Sequence, residues 1–318
     1  MKKLILATLV GVGCQVYAAP KVVTTIKPVQ SLAAQVMDGI AEPELIIKQG
    51  SPHGYQMKPS DATSIAEADL VIYVSHELET FIPALLEKSK KEHSIEWEAI
   101  PNVNPLLTRH GGMWEEGDEH HHHDHDHDAH DHDHHDHDHD HHGHHHGKYD
   151  AHLWLSVERS KILLGQIAQE LSEIDPDNAA KYQANAEKSK EKLDTLQKDL
   201  AAKLQPVQQR PFMVFHDAYQ YFEKDYGLNA VGTVRVDPEH EPGAKRIGEL
   251  HETIKDNKVV CLFSEPQFPA KIVTKLAKET KVKTAVLDPV GADLAVGKDM
   301  YAQLLGNLAN NLETCLKP

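Results

Sequence analysis

Between Asn178 and Leu204 the sequence contains neither glycine nor proline and is dominated by Ala, Lys, Glu, Gln and Leu. Those residues favour helix strongly. About 27 residues at 1.5 Å each make a rod of about 40 Å, the width of a domain. A helix this long and this polar suits a rigid connector between two lobes better than an element buried in one core. Asp175-Pro176-Asp177 opens the segment and Pro206 and Pro211 follow it, so the connecting helix is expected over 175–205.

On both sides of that rod, strand and helix signals alternate. Before it, Val22–Ile26, Glu44–Lys48 and Leu70–Val74 read as strands. Helices are expected over Pro28–Met37, from an N-cap at Ser60 through Ala68, over Glu79–Lys90, and over Val157–Ile174 behind Ser156. After it come strands at Phe212–Phe215, Ala230–Val236, Val259–Phe263 and Thr284–Leu287. Between and after these, helices are expected over Asp217–Tyr226, Gly243–Asp256, Pro269–Thr280 and Lys298–Leu316. Such alternation implies parallel strands with crossover helices. The expected fold class is α/β: two lobes with mainly parallel sheets, 20–174 and 206–318, joined by one long rigid helix, with a cleft between them.

Residues 1–19 read as an export signal. Lys2 and Lys3 precede the apolar run Leu4–Val12, and Val16-Tyr17-Ala18 suits cleavage after Ala18 or Ala19. A lipoprotein signal ending at Cys14 is the alternative, which Gly11-Val12-Gly13 fits poorly. The apolar run is too short to span a bilayer. In an oxidising compartment Cys261 and Cys315 are expected to pair as a disulfide; two buried thiols are the other reading.

One stretch breaks the pattern. Residues 110–148 hold 12 of the 49 acidic residues and one of the 33 basic ones, a charge of −11 within a total of −16. Acidity therefore belongs to one insert in the first lobe, read as disordered, and no basic patch points to nucleic acid. Of the 25 histidines, 18 lie there. His121, His123, His125, His127, His132, His134, His137, His139, His142 and His145 stand among aspartates. Interspersed imidazoles and carboxylates chelate in many combinations, each at an entropic cost, which fits a weak collector of several zinc ions. A purely solubilising loop is the plainer alternative. Protonating all 18 turns −11 into +7, so loop-bound zinc should be lost between about pH 7 and 5.

Three other histidines share a setting. His53 follows a strand in Gly50-Ser51-Pro52-His53-Gly54, His152 lies where the chain leaves the insert, and His216 ends the strand Phe212–Phe215. Ligands of open α/β sheets bind beyond the carboxyl ends of the strands. Two of these side chains come from the first lobe and one from the second, so they can meet in the cleft.

Several segments carry a resemblance: Ser51-Pro52-His53, Lys58-Pro59-Ser60-Asp61, Ala68-Asp69-Leu70-Val71 and His152-Leu153-Trp154-Leu155-Ser156 behind the acidic His-rich insert. Val214-Phe215-His216-Asp217-Ala218-Tyr219, Glu265-Pro266-Gln267-Phe268 and Leu287-Asp288-Pro289 continue it. From Lys21 onward the chain resembles the zinc-specific solute-binding proteins of bacterial ABC importers, the ZnuA type within the cluster of metal-binding receptors. The resemblance implies a periplasmic, monomeric receptor that binds Zn²⁺ through His53, His152 and His216 and delivers it to a membrane permease. Where some zinc receptors carry a glutamate before the first histidine, this chain has Pro52, so Asp288 or water is the expected fourth ligand. His216 stands where manganese receptors carry glutamate. Imidazole suits zinc and copper, whereas manganese prefers oxygen, so copper remains a competitor. Glu265 is a candidate for orienting an imidazole. Three histidines and a water also make a catalytic zinc site, yet no His-Glu-x-x-His or Gly-x-Ser-x-Gly is present, and an enzyme is not expected. A metal buffer or an adhesin without transport is the remaining alternative.

Overall fold

A computed structural model describes residues 18–114 and 147–318. Most of the expected export signal and all ten loop histidines named above, which fall between His121 and His145, lie outside the described residues.

The first sheet has β1 (Val22–Thr24), β2 (Glu44–Leu45), β3 (Leu70–Tyr73) and β4 (Ser94–Glu96), in the order β2-β1-β3-β4 and all parallel. Around it lie α1 (Lys27–Val36), α2 (Pro59–Glu67), α3 (Ile82–Ser89) and α4 (Val157–Ile174). The second sheet repeats the plan. Its strands are β5 (Phe212–Val214), β6 (Ala230–Thr233), β7 (Cys261–Ser264) and β8 (Lys283–Val286), parallel in the order β6-β5-β7-β8. Its helices are α6 (Gln220–Tyr226), α7 (Ala244–Asp256), α8 (Lys271–Thr280) and α9 (Met300–Leu316). Between the sheets runs α5 (Ala179–Leu204). In each sheet the first strand has neighbours reached in opposite directions, which opens a crevice at its carboxyl end.

The long helix is present and is also packed. Tyr182, Ala186, Leu193, Leu200 and Leu204 form a buried stripe, with spacings of four and seven residues that keep one face turned inward. Ser156 caps α4 as expected, its hydroxyl accepting from the Arg159 N–H. The expected Ser60 cap is corrected: α2 begins at Pro59 behind Lys58, and the Asp61 carboxylate accepts from the Lys58 N–H at 2.7 Å. Pro59 suits the first helical position because the N–H it lacks has no partner there. Asp217 does not begin a helix, since α6 starts at Gln220. Strand β4 was not expected; three residues give too short a run to carry a pattern.

Cys261 of β7 and Cys315 of α9 form a disulfide across a separation of 54 residues. The edges of the insert are more ordered than expected. Residues 110–114 and 147–148 belong to the described structure, and Leu107 bridges Tyr149 in antiparallel fashion.

Candidate metal site

Each of the three histidines lies outside the helices and strands. His53 lies in the exposed loop between β2 and α2, with its N–H donating to Ser51 Oγ at 3.2 Å. His152 precedes a single 3-10 turn, Leu153–Leu155, whose three side chains are wholly buried and fix the backbone at the histidine. His216 lies two residues past β5, at the crevice of the second sheet.

The structure brings these three side chains together. His53 Nε2 is 3.2 Å from His152 Nε2, which is 3.3 Å from His216 Nε2. One ligand atom from each lies within 4.8 Å of the others, so the group can hold a metal ion. Two nitrogens bound to one ion at about 2.05 Å with a tetrahedral angle stand about 3.3 Å apart. The observed separations match that value.

Carboxylates set which nitrogen of two rings faces inward. His152 Nδ1 donates to Asp150 Oδ1 at 2.7 Å, and the His152 backbone N–H donates to the same oxygen at 2.9 Å. His216 Nδ1 donates to both oxygens of Glu265 at 2.8 Å. With the proton held at Nδ1, each Nε2 presents its lone pair to the centre. Burial pushes the His152 pKa down to about 3, with the neighbouring His216 adding to the effect, so this ring is neutral across the physiological range. Burial also lowers the affinity of His216 for a proton, but the charge and hydrogen bonds of Glu265 outweigh it and hold the pKa above the ordinary value. Burial drives Asp150 up to about 7 against the bond from the His152 backbone.

Around the nitrogens the wall is apolar: Pro52, Trp154, Phe268, Pro289 and Val290 line it. Trp154 Nε1 donates to the Pro289 carbonyl at 2.6 Å, joining the lobes behind the site. On the other side a cavity of about 400 Å³ opens past His110, Asp217 and His240.

Asp288 is not brought into this group. Its Oδ1 accepts from Gln267 Nε2 at 2.7 Å and from the N–H groups of Val290 and Gly291 at 3.2 and 2.9 Å. Its Oδ2 accepts from the Ala292 N–H at 2.6 Å. Gln267 and three N–H groups of the turn after β8 thus hold this carboxylate, so that of the two expected occupants of the fourth position, Asp288 or water, the carboxylate is engaged elsewhere. Asp150, by contrast, had not been singled out. The signal was the Asp-x-His spacing, which lets one carboxylate reach both the backbone and the ring of the same histidine.

Comparison with known proteins agrees with this geometry. A family model described as the periplasmic zinc-uptake complex component A matches residues 22–315. The high-affinity zinc uptake system protein ZnuA of Brucella abortus is 44% identical over 304 residues, covering 93% of this chain and 91% of that protein. Its namesake in Haemophilus ducreyi is 39% identical over 317 residues, covering 99% of each. Among solved structures, the zinc-bound ZnuA-like domain of AdcA from Streptococcus pneumoniae superposes with a TM-score of 0.69 at 28% identity, covering 94% of this chain and 99% of that one. The laminin-binding protein of Streptococcus agalactiae, with a TM-score of 0.74 at 24% identity, shares the fold; it covers 94% and 100%. The match along nearly the whole chain, with the three histidines gathered between the lobes, establishes that the chain belongs to the family of periplasmic zinc-uptake component A proteins.

Proposed function

We propose that this chain is the receptor of an ABC importer: it captures Zn²⁺ in the periplasm through His53, His152 and His216 and delivers it to a membrane permease. The observation that carries the reading is the spacing of the three Nε2 atoms, 3.2 and 3.3 Å along the chain of rings, with Nδ1 of two rings committed to carboxylates. Nitrogen donors at tetrahedral spacing suit zinc and disfavour manganese, which takes oxygen. With Asp288 held by its own turn, the fourth position falls to water. Relatives named as high-affinity zinc uptake proteins over almost the full length support the same ion. The family comprises binding components of uptake systems rather than enzymes. In this reading the export signal is cleaved after Ala18 or Ala19, the protein acts as a monomer, and the histidines of the insert collect further zinc loosely.

The test is competitive titration of metal-free protein with zinc, copper and manganese, repeated on His216→Ala and on a chain lacking residues 115–146. The expected result is one tight zinc site in the wild type and in the deletion variant, lost in His216→Ala, with additional weak binding only when the insert is present. A tight site that survives His216→Ala, or that disappears with the insert, overturns the assignment.

A further inference from the structure

His152 belongs to the first lobe and His216 to the second, so something must set the distance between them. We infer that residues 106–114, the outgoing root of the insert, form an inter-lobe strap and that Arg109 is its positioning residue for the metal site. This deepens the proposed function and rests on the assignment of His152 and His216 as ligands.

The strap touches both ligand-bearing segments. On one side it pairs with the returning chain just ahead of His152: the Asp150 N–H donates to the Leu106 carbonyl at 2.8 Å, and the Thr108 N–H to the Lys148 carbonyl at 3.2 Å. On the other side it runs onto the second sheet. The Thr233 N–H donates to the Gly112 carbonyl at 2.8 Å, the Trp114 N–H donates to the Val231 carbonyl at 3.1 Å, and Met113 bridges Gly232 in antiparallel fashion. A segment that leaves the first lobe thus extends the edge of the second lobe's sheet beside β6. Tyr221 ties the two sides together: its hydroxyl accepts from the Leu106 N–H and donates to the Asp150 carbonyl at 2.6 Å.

Arg109 stands at the crossing. Its guanidinium donates from Nε and Nη2 to the two oxygens of Asp217, the residue directly after His216. It also donates to Glu223 Oε2 from Nη1 at 2.8 Å and to Oε1 from Nη2 at 3.3 Å. The Trp114 ring covers its face, with Cζ 3.5 Å from the centroid. Asp217 and Glu223 are largely buried second-lobe carboxylates, and the cation facing both comes from the first lobe. Bidentate pairing of a planar guanidinium fixes orientation as well as distance, which an ammonium does not. Two glycines permit the approach. A Cβ on Gly232 would stand 2.6 Å from the Gly112 carbonyl oxygen, and Gly112 has φ +69° with Arg246, Thr233 and Val236 crowding its α-carbon.

Removing the guanidinium frees the strap and leaves two buried carboxylates facing each other, so the segment carrying His216 loses its fixed distance from His152. The experiment measures zinc dissociation into excess chelator and the visible absorption of the Co²⁺-loaded protein, in the full chain. Expected for Arg109→Gln is zinc dissociation about tenfold faster and a weakened, shifted Co²⁺ band; Arg109→Lys does not restore either. Gly232→Ala, which leaves every charge in place but obstructs strap docking, shifts both readouts the same way. The variant combining Arg109→Gln, Asp217→Asn and Glu223→Gln removes the unpaired charges. It is expected to recover the melting temperature of the wild type while keeping fast dissociation. Wild-type dissociation and Co²⁺ spectrum in Arg109→Gln, or their return in the triple variant, overturn the positioning role. A tight site surviving in His216→Ala would instead overturn the ligand assignment beneath it, so the two failures are distinguishable.

Discussion

Glu265 grips His216 with both of its oxygens while also accepting from the Tyr219 hydroxyl at 3.2 Å. That arrangement chooses the tautomer before any ion arrives. A glutamine in its place keeps the shape but offers one acceptor oxygen and an NH₂ that competes as a donor. Glu265→Gln is therefore expected to weaken zinc binding about 10–100-fold with little change in folding. Titration against a chelator of known affinity checks this, and an unchanged affinity would show that the ring is oriented by other means. The grouping of the three histidines was legible only in part: His216 stands just past the end of β5, where open α/β sheets bind ligands, whereas His53 lies in the loop after β2 and His152 follows the insert rather than a strand. Asp288 shows what the strand-end rule leaves out. It too lies at a strand end, but three of its four partners are the backbone N–H groups of Val290, Gly291 and Ala292, and backbone donors leave no mark in a sequence.

At the scale of elements, helices were easier to read than strands. The glycine- and proline-free run at α5 and the Ser156 cap of α4 are local signals with local causes, and both elements appeared with nearly the expected limits. The strands came out at two to four residues, and β4 was invisible, because a strand is defined by a neighbour that the local sequence does not contain. One element boundary carries a titrating group. Glu79, ahead of α3, is fully buried below the ends of β1 and β3, accepting from the Thr25 hydroxyl at 2.5 Å and from the N–H groups of Val74 and Ser75. Burial raises its pKa from 4.5 to about 7, in spite of those donors. The fold thus favours the protonated form. The contribution of Glu79 to stability is complete below pH 4.5 and is lost as pH rises through about 7. Glu79→Gln carries no charge to bury. Its stability relative to wild type should rise by roughly 1–3 kcal/mol between pH 5 and pH 8. Urea unfolding of both proteins at the two pH values tests this, and a difference that does not vary with pH would refute it.

Taken as a whole molecule, the two sheets share one core. A single cluster of buried side chains runs from Val22 and Val71 of the first sheet through Leu163 and Tyr182 to Phe212, Phe263 and Leu308 of the second half. Only a smaller cluster, with Phe215, Leu250 and Leu276, is confined under α7 and α8. Lys27 adds a polar join, its ammonium donating to the carbonyls of Gly291, Ala292 and Leu294 at 3.0, 2.5 and 3.0 Å. Two lobes on a rod, as the sequence suggested, would melt separately; lobes sharing a core should not. One calorimetric transition is expected for the metal-free protein, moved upward by zinc in proportion to the logarithm of its free concentration. Two resolved transitions, with only one responding to zinc, would contradict that picture.

The turn that encloses Asp288 bears on the fluid in which the protein works. Magnesium and calcium outnumber zinc vastly in most natural waters and body fluids, and both require oxygen ligands. A carboxylate already held by Gln267 and three backbone amides offers them no free oxygen. Asp288 therefore adds no oxygen ligand for a hard ion, and the three imidazoles favour a scarce borderline ion over an abundant background of hard ones.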